Sequence, residues 1–131
     1  MFFEELYREQ ILERYKRPHF KGTLDEPDAV YEDENPLCGD WVRVMLKRDA
    51  QGHLQARFEG QGCAISMASA DLLMEYIQGR SLDEVRSLTK EDVFRLLGLQ
   101  LSPARAKCAL LPLKALKVAA YGLPDQPVVR T

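Results

Sequence analysis

The sequence predicts an α+β fold, with an antiparallel sheet and helices segregated around it, and three observations carry that expectation. First, Val42, Val44 and Leu46 alternate with Arg43, Met45 and Lys47, while Leu54, Ala56 and Phe58 alternate with Gln55, Arg57 and Glu59, giving two half-buried strands. Second, the link Arg48-Asp49-Ala50-Gln51-Gly52 has the length and the glycine of a hairpin connection, which makes those strands antiparallel. Third, the segments on either side of the pair carry helical rather than strand periodicity.

Taken in order, apolar residues recur at Phe3, Tyr7, Ile11 and Tyr15, with Phe2, Leu6 and Leu12 widening the stripe, so Phe3 to Lys16 reads as an amphipathic helix in contact with the core. Pro18 ends it by disfavouring helical geometry in the residue before it. Ala29 to Glu34 is a strand candidate whose acidity and flanking Pro27 and Pro36 place it at a sheet edge or in a loop. Beyond Cys63, the positions Ile65, Ala68, Leu72, Leu73, Tyr76 and Ile77 mark a helix that Gly79 terminates. Ser81 with Glu84, and Thr89 with Asp92, start two short helices, the second closed by Gly98. Leu113, Leu116 and Ala120 line a final helix, with Pro112 expected in its first turn because an interior proline removes a hydrogen bond and clashes.

A chain of 131 residues with 46% apolar content fits one domain, 1–131, with an adequate core. Lys and Arg (18) nearly balance Asp and Glu (20), so the basic surplus on which nucleic-acid binding draws is missing. No apolar run approaches the roughly 20 residues of a membrane helix. Three cysteines cannot all pair internally, and the first residues, with Glu4, Glu5 and Arg8, do not resemble a secretory signal; the expected location is a reducing cytoplasm.

Those cysteines are the chemistry-bearing residues. Cys38 lies in Asn35-Pro36-Leu37-Cys38-Gly39-Asp40, Cys63 in Gly60-Gln61-Gly62-Cys63-Ala64-Ile65-Ser66, and Cys108 in Arg105-Ala106-Lys107-Cys108. Cys38 precedes the first strand of the hairpin and Cys63 follows the second, so antiparallel pairing brings both to one end of the sheet. Cys63 and Cys108 are each expected at a helix N-terminus, where unsatisfied N–H groups favour the thiolate. Thiolates suit zinc, copper(I) and iron-sulfur clusters, and Asp40 can add an oxygen. Gly39, Gly60 and Gly62 are expected to supply unusual backbone conformations and close approach to a bulky ligand. With no CxxC pair, spacing alone leaves a metal site and three inert buried thiols both open.

The three cysteine blocks, together with Ile11-Leu12-Glu13-Arg14-Tyr15-Lys16-Arg17-Pro18, resemble the iron-sulfur cluster scaffold family comprising IscU, SufU and the N-terminal domain of NifU. The resemblance covers nearly the whole chain. It implies a three-stranded antiparallel sheet packed by about five helices, with Cys38, Asp40, Cys63 and Cys108 as ligands of zinc or of a transient cluster, 2Fe-2S or 4Fe-4S. It implies a non-enzymatic scaffold that accepts sulfur from a cysteine desulfurase, binds iron or zinc, and passes a nascent cluster to apo iron-sulfur proteins. Cys38 and Cys108 are the two candidate sulfur acceptors, and Cys38, in a loop between Pro36 and Gly39, is the one expected. Lys107 stands where IscU proteins carry histidine, and the surrounding residues are SufU-like, although the interval from Cys63 to Cys108 resembles IscU. The segment Leu101-Ser102-Pro103-Ala104-Arg105 departs from the IscU chaperone-binding motif, which argues against chaperone dependence.

Two other roles are compatible with these residues: a SufU-type, zinc-dependent sulfur-transfer partner of the desulfurase, and a structural zinc protein whose metal only secures the fold. A thiol redox enzyme ranks last for want of a resolving cysteine. The ligand set is completed by Asp40 or by a second subunit in a homo-oligomer. His19 and His53 read as solvated, Met45, Met67 and Met74 as core, and Trp41 as packed on the sheet or lining an interface. Arg105 and Lys107 read either as stabilisers of the Cys108 thiolate or as ordinary surface cations.

Overall fold

The two alternating stretches form the centre of a sheet with strand order β1-β2-β3, built from β1 (Ala29–Glu34), β2 (Trp41–Arg48) and β3 (Leu54–Gln61). The computed structural model describes residues 2–36, 39–99 and 101–125, with side chains from Arg8 onward. Both strand pairs are antiparallel, with Glu34 opposite Trp41 and Trp41 opposite Gln61. Asp49 fixes the β2–β3 connection: its Oδ1 accepts from the N–H groups of Gln51 and His53, both at 2.9 Å, and Gly52 takes φ +87°. β1 is a true edge strand. Its acidic residues are tolerated because Glu32 faces Arg43, which binds it at 2.8 Å and reaches Glu59 at 3.7 Å on the next strand.

Around the sheet lie α1 (Phe2–Lys16), α2 (Ala64–Ile77), α3 (Leu82–Arg86), α4 (Lys90–Leu97) and α5 (Pro103–Tyr121), so the predicted α+β architecture of a three-stranded antiparallel sheet and five helices is the one observed. The inward side chains Val42, Val44, Leu46, Leu54, Ala56 and Phe58 are all buried beneath α2 and α5. Met45, Met67 and Met74 are buried too. Ser81 and Glu84 form the expected capping box, and at α4 the Asp92 carboxylate accepts from the N–H and hydroxyl of Thr89.

Two expectations fail here. The start of α5 is not near Pro112: Ser102 caps the helix by accepting from the Arg105 N–H, and Pro103 takes the first position, where a missing N–H costs nothing. Pro112 therefore lies inside a 19-residue helix, and Cys108 sits in its second turn rather than at its N-terminus. The stripe on α1 also proves narrower. Ile11 is buried, whereas Leu12 and Tyr15 are 43% and 46% exposed, and the Tyr7 side chain lies outside the described residues. Among the described side chains, α1 is held by Ile11 in the core and by Arg14, which contacts Asp71 at 3.0 Å and Glu75 at 2.9 Å on α2.

Candidate metal centre

Antiparallel pairing of β2 with β3 places the residue before β2 beside the residues after β3. Asp40 immediately precedes β2, where Asn35 N–H donates to its carbonyl at 2.7 Å and Gly39, at φ +76°, takes the left-handed backbone conformation that a residue with a side chain would resist. Gly62 and Cys63 follow β3, and Cys63 is the N-cap of α2, its Sγ accepting from the Ser66 N–H at 3.4 Å. Cys108 comes from α5, which packs along α2. A buried hydrogen bond from Ser69 Oγ to the Ala109 carbonyl, 2.7 Å, pins the two helices one residue from that cysteine.

The result is convergence: one carboxylate oxygen of Asp40 and the sulfurs of Cys63 and Cys108 all lie within 4.8 Å of one another. Tetrahedral zinc, with Zn–S near 2.3 Å, separates its ligand atoms by roughly 3.8 Å, so an ion at the centre asks these donors to close by about 1 Å or less. Asp40 is only 5% exposed, yet its Oδ2 has no hydrogen-bond partner among the described residues. An ionised carboxylate buried with an unsatisfied oxygen is costly unless a cation joins it, so the donor set fits a thiophilic metal on the protein's own geometry. Cys63 is exposed and Cys108 half-buried, which leaves the centre open on one side. Cys38 lies outside the described residues.

Other expected contributors behave differently. His19 hydrogen-bonds Arg14 and His53 lies by Asp49, each largely exposed and neither within the cluster, as two solvated histidines should be. Lys107 and Arg105 are both exposed, and Lys107, one residue from Cys108, points off its face of the helix. Gly60 and Gly62 do not have positive φ, so the unusual backbone conformation expected of all three glycines is found only at Gly39. They are instead sites of close packing against protein, Gly60 against the Trp41 carbonyl and Gly62 against the Asp40 side chain. Ser66, fully buried with its hydroxyl unpartnered among the described residues, and Ser69 were not singled out from sequence. Their spacing of three on one helical face, starting three residues after a cysteine, was the available signal.

Comparison with known proteins decides the relationship, since residues 6–128 match the family model described as the NifU-like N-terminal domain. The chain belongs to that family. Within the NifU-like N-terminal domain family, it is 37% identical to the zinc-dependent sulfurtransferase SufU of Bacillus subtilis, over 87% of this chain and 88% of the relative. It is 35% identical to the iron-sulfur cluster assembly scaffold protein IscU of Thermotoga maritima, over 91% and 95% of the two chains. A crystal structure of a candidate iron-sulfur cluster assembly scaffold protein for the SUF system, from Fervidobacterium islandicum AW-1, superposes with TM-score 0.72 at 29% identity, covering 86% of this chain and 94% of that one. A NifU-like chain therefore presents two thiols and one carboxylate at the shared end of its sheet and helices.

Proposed function

We propose that this protein is an iron-sulfur cluster assembly scaffold: it accepts sulfur from a cysteine desulfurase, holds iron or zinc at Asp40, Cys63 and Cys108, and passes a nascent cluster to apoproteins. The observation that carries this is the meeting of one buried, unsatisfied carboxylate with two thiols from separate helices at an open edge of the molecule. Relatives named as scaffolds and as a sulfurtransferase support the same chemistry. In this function the metal and sulfide are cargo, and the protein holds them rather than turning over a small substrate. The carboxylate is the harder ligand and the first to give way to an incoming group, which suits transfer more than permanent storage.

Cys38 completes the ligand set and receives the sulfur, on grounds of sequence alone: the Pro36–Gly39 loop adjoins Asp40. The thiolate attacks the terminal sulfur of the desulfurase persulfide, the old S–S bond breaks, and the desulfurase cysteine leaves as thiolate. We place the protein in the cytoplasm; no helix among the described residues is long and apolar enough to cross a membrane. A second reading, a zinc-dependent sulfur relay, is favoured by the 37% identity to the Bacillus sulfurtransferase. Anaerobic reconstitution with iron, cysteine and a cysteine desulfurase separates the two. A desulfurase-dependent cluster that moves to an apo acceptor supports the scaffold. Zinc that stays bound while cysteine turnover accelerates supports the relay, and the absence of both results would remove both readings.

A further inference from the structure

Asp40 and Gly62 flank the Trp41–Gln61 pair at the end of the β2–β3 ladder, and there the two strands come unusually close. A Cβ placed on Gly62 would stand 2.9 Å from Asp40 Cβ, 2.6 Å from its Cγ and 2.8 Å from its Oδ1. Opposed Cβ atoms in an antiparallel pair are normally about 4.5–5.5 Å apart, so no side chain fits at position 62 while Asp40 keeps its place. The backbone of Gly62 is not in the left-handed region, so its conformation is not what calls for glycine. The clash involves the root of the Asp40 side chain rather than a flexible tip, and at 5% exposure Asp40 lacks open solvent to swing into.

We propose that Gly62 is a positioning residue for the metal centre: by carrying no Cβ it leaves the space in which the Asp40 carboxylate lies beside the sulfurs of Cys63 and Cys108. The proposal rests on the assignment of Asp40 as a ligand. Substituting Gly62 removes the oxygen ligand without touching any ligand residue, and the steric conflict disappears only when the whole Asp40 side chain, Cβ included, is gone.

Zinc affinity by chelator competition, cobalt(II) absorption and urea unfolding of Gly62→Ala, Asp40→Ala, Asp40→Gly and the double variant of Gly62→Ala with Asp40→Gly test this. Gly62→Ala should weaken zinc about 10- to 100-fold, the range seen when a ligand's supporting partner is lost, and its cobalt spectrum should match that of Asp40→Ala. The double variant should bind zinc within about twofold of Asp40→Gly, and should unfold at higher urea than additivity of the two single variants allows. If Gly62→Ala fails to fold while the double variant folds, the steric coupling is confirmed. Wild-type affinity in Gly62→Ala, additive losses in the double variant, or failure of both to fold overturns the proposal. If wild type and Asp40→Ala bind zinc equally, Asp40 is no ligand and the metal assignment beneath the proposal is what fails.

Discussion

Removing Arg14 should cost more stability than truncating any other described surface side chain of α1, because of what it leaves behind. Asp71 has no exposed side-chain surface, and its carboxylate has two donors: Phe20 N–H at 2.7 Å on Oδ1 and Arg14 Nη1 at 3.0 Å on Oδ2. Burial works against the Arg14 charge, but hydrogen bonds to Asp71 and Glu75 hold its guanidinium above the ordinary arginine range. Arg14→Ala leaves Asp71 buried with half its partners. Breaking such a pair costs about 3–5 kcal/mol, and the 13% exposure of Arg14 admits some water, so the low end, about 3 kcal/mol, applies. The contact with Glu75, 45% exposed, is worth under about 1 kcal/mol. With a urea m-value of about 2 kcal/mol/M, Arg14→Ala should lower the unfolding midpoint by about 1.5 M and Glu75→Ala by less than about 0.5 M. Adding Asp71→Asn to Arg14→Ala should recover part of the loss, since a neutral amide is cheaper to strand than a carboxylate. Equal midpoints for Arg14→Ala and Glu75→Ala, or a double variant weaker than Arg14→Ala alone, would refute the buried-charge account of how α1 is held.

Ser69→Ala deletes the buried bond to the Ala109 carbonyl; unfolding should lose about 1 kcal/mol and zinc affinity should fall several-fold, because that bond spaces the helices bearing Cys63 and Cys108. Acid sensitivity has a defined sign. Glu84 is held below the ordinary carboxylate range by Arg80, Asp92 by the Thr89 N–H, and Asp49 by the His53 N–H, so the folded state binds their protons less readily than the unfolded chain. Their contribution is present above the unfolded values of 4.5 and 3.8 and is lost as pH falls, so the urea midpoint of metal-free protein should hold from neutrality and drop below about pH 4.5. A midpoint rising on acidification would reverse that sign. Chelation should leave the far-ultraviolet circular dichroism largely intact, because Phe58, Leu46, Leu73 and Leu116 already bury a core without metal; collapse of the signal on chelation would mark a structural zinc protein instead.

What could be read from sequence follows the range of the interactions involved. The β2–β3 hairpin was legible because alternation and a short glycine-containing link are local, and pairing geometry then carried Asp40 to Cys63. The caps at Ser81 and Thr89 were legible for the same reason. The start of α5 was misread: Pro112 is a louder signal than Ser102-Pro103, yet packing of α5 along the sheet and α2 outweighs one missing helical hydrogen bond. Tyr15 was misassigned because periodicity gives a face but not what covers it. The Asp71 clasp and the Gly62 contact depend on residues 57 and 22 positions away, and no local pattern announces either.

Zinc-edge X-ray absorption on zinc-loaded protein, compared across wild type, Asp40→Ala, Cys63→Ser and Cys108→Ser, addresses the shared centre most directly. Wild type should show a mixed shell of sulfur near 2.3 Å and a shorter oxygen, Asp40→Ala should alter only the oxygen, and each serine variant should lose one sulfur. A sulfur shell unchanged by either serine substitution would mean that Cys63 and Cys108 do not hold the same ion.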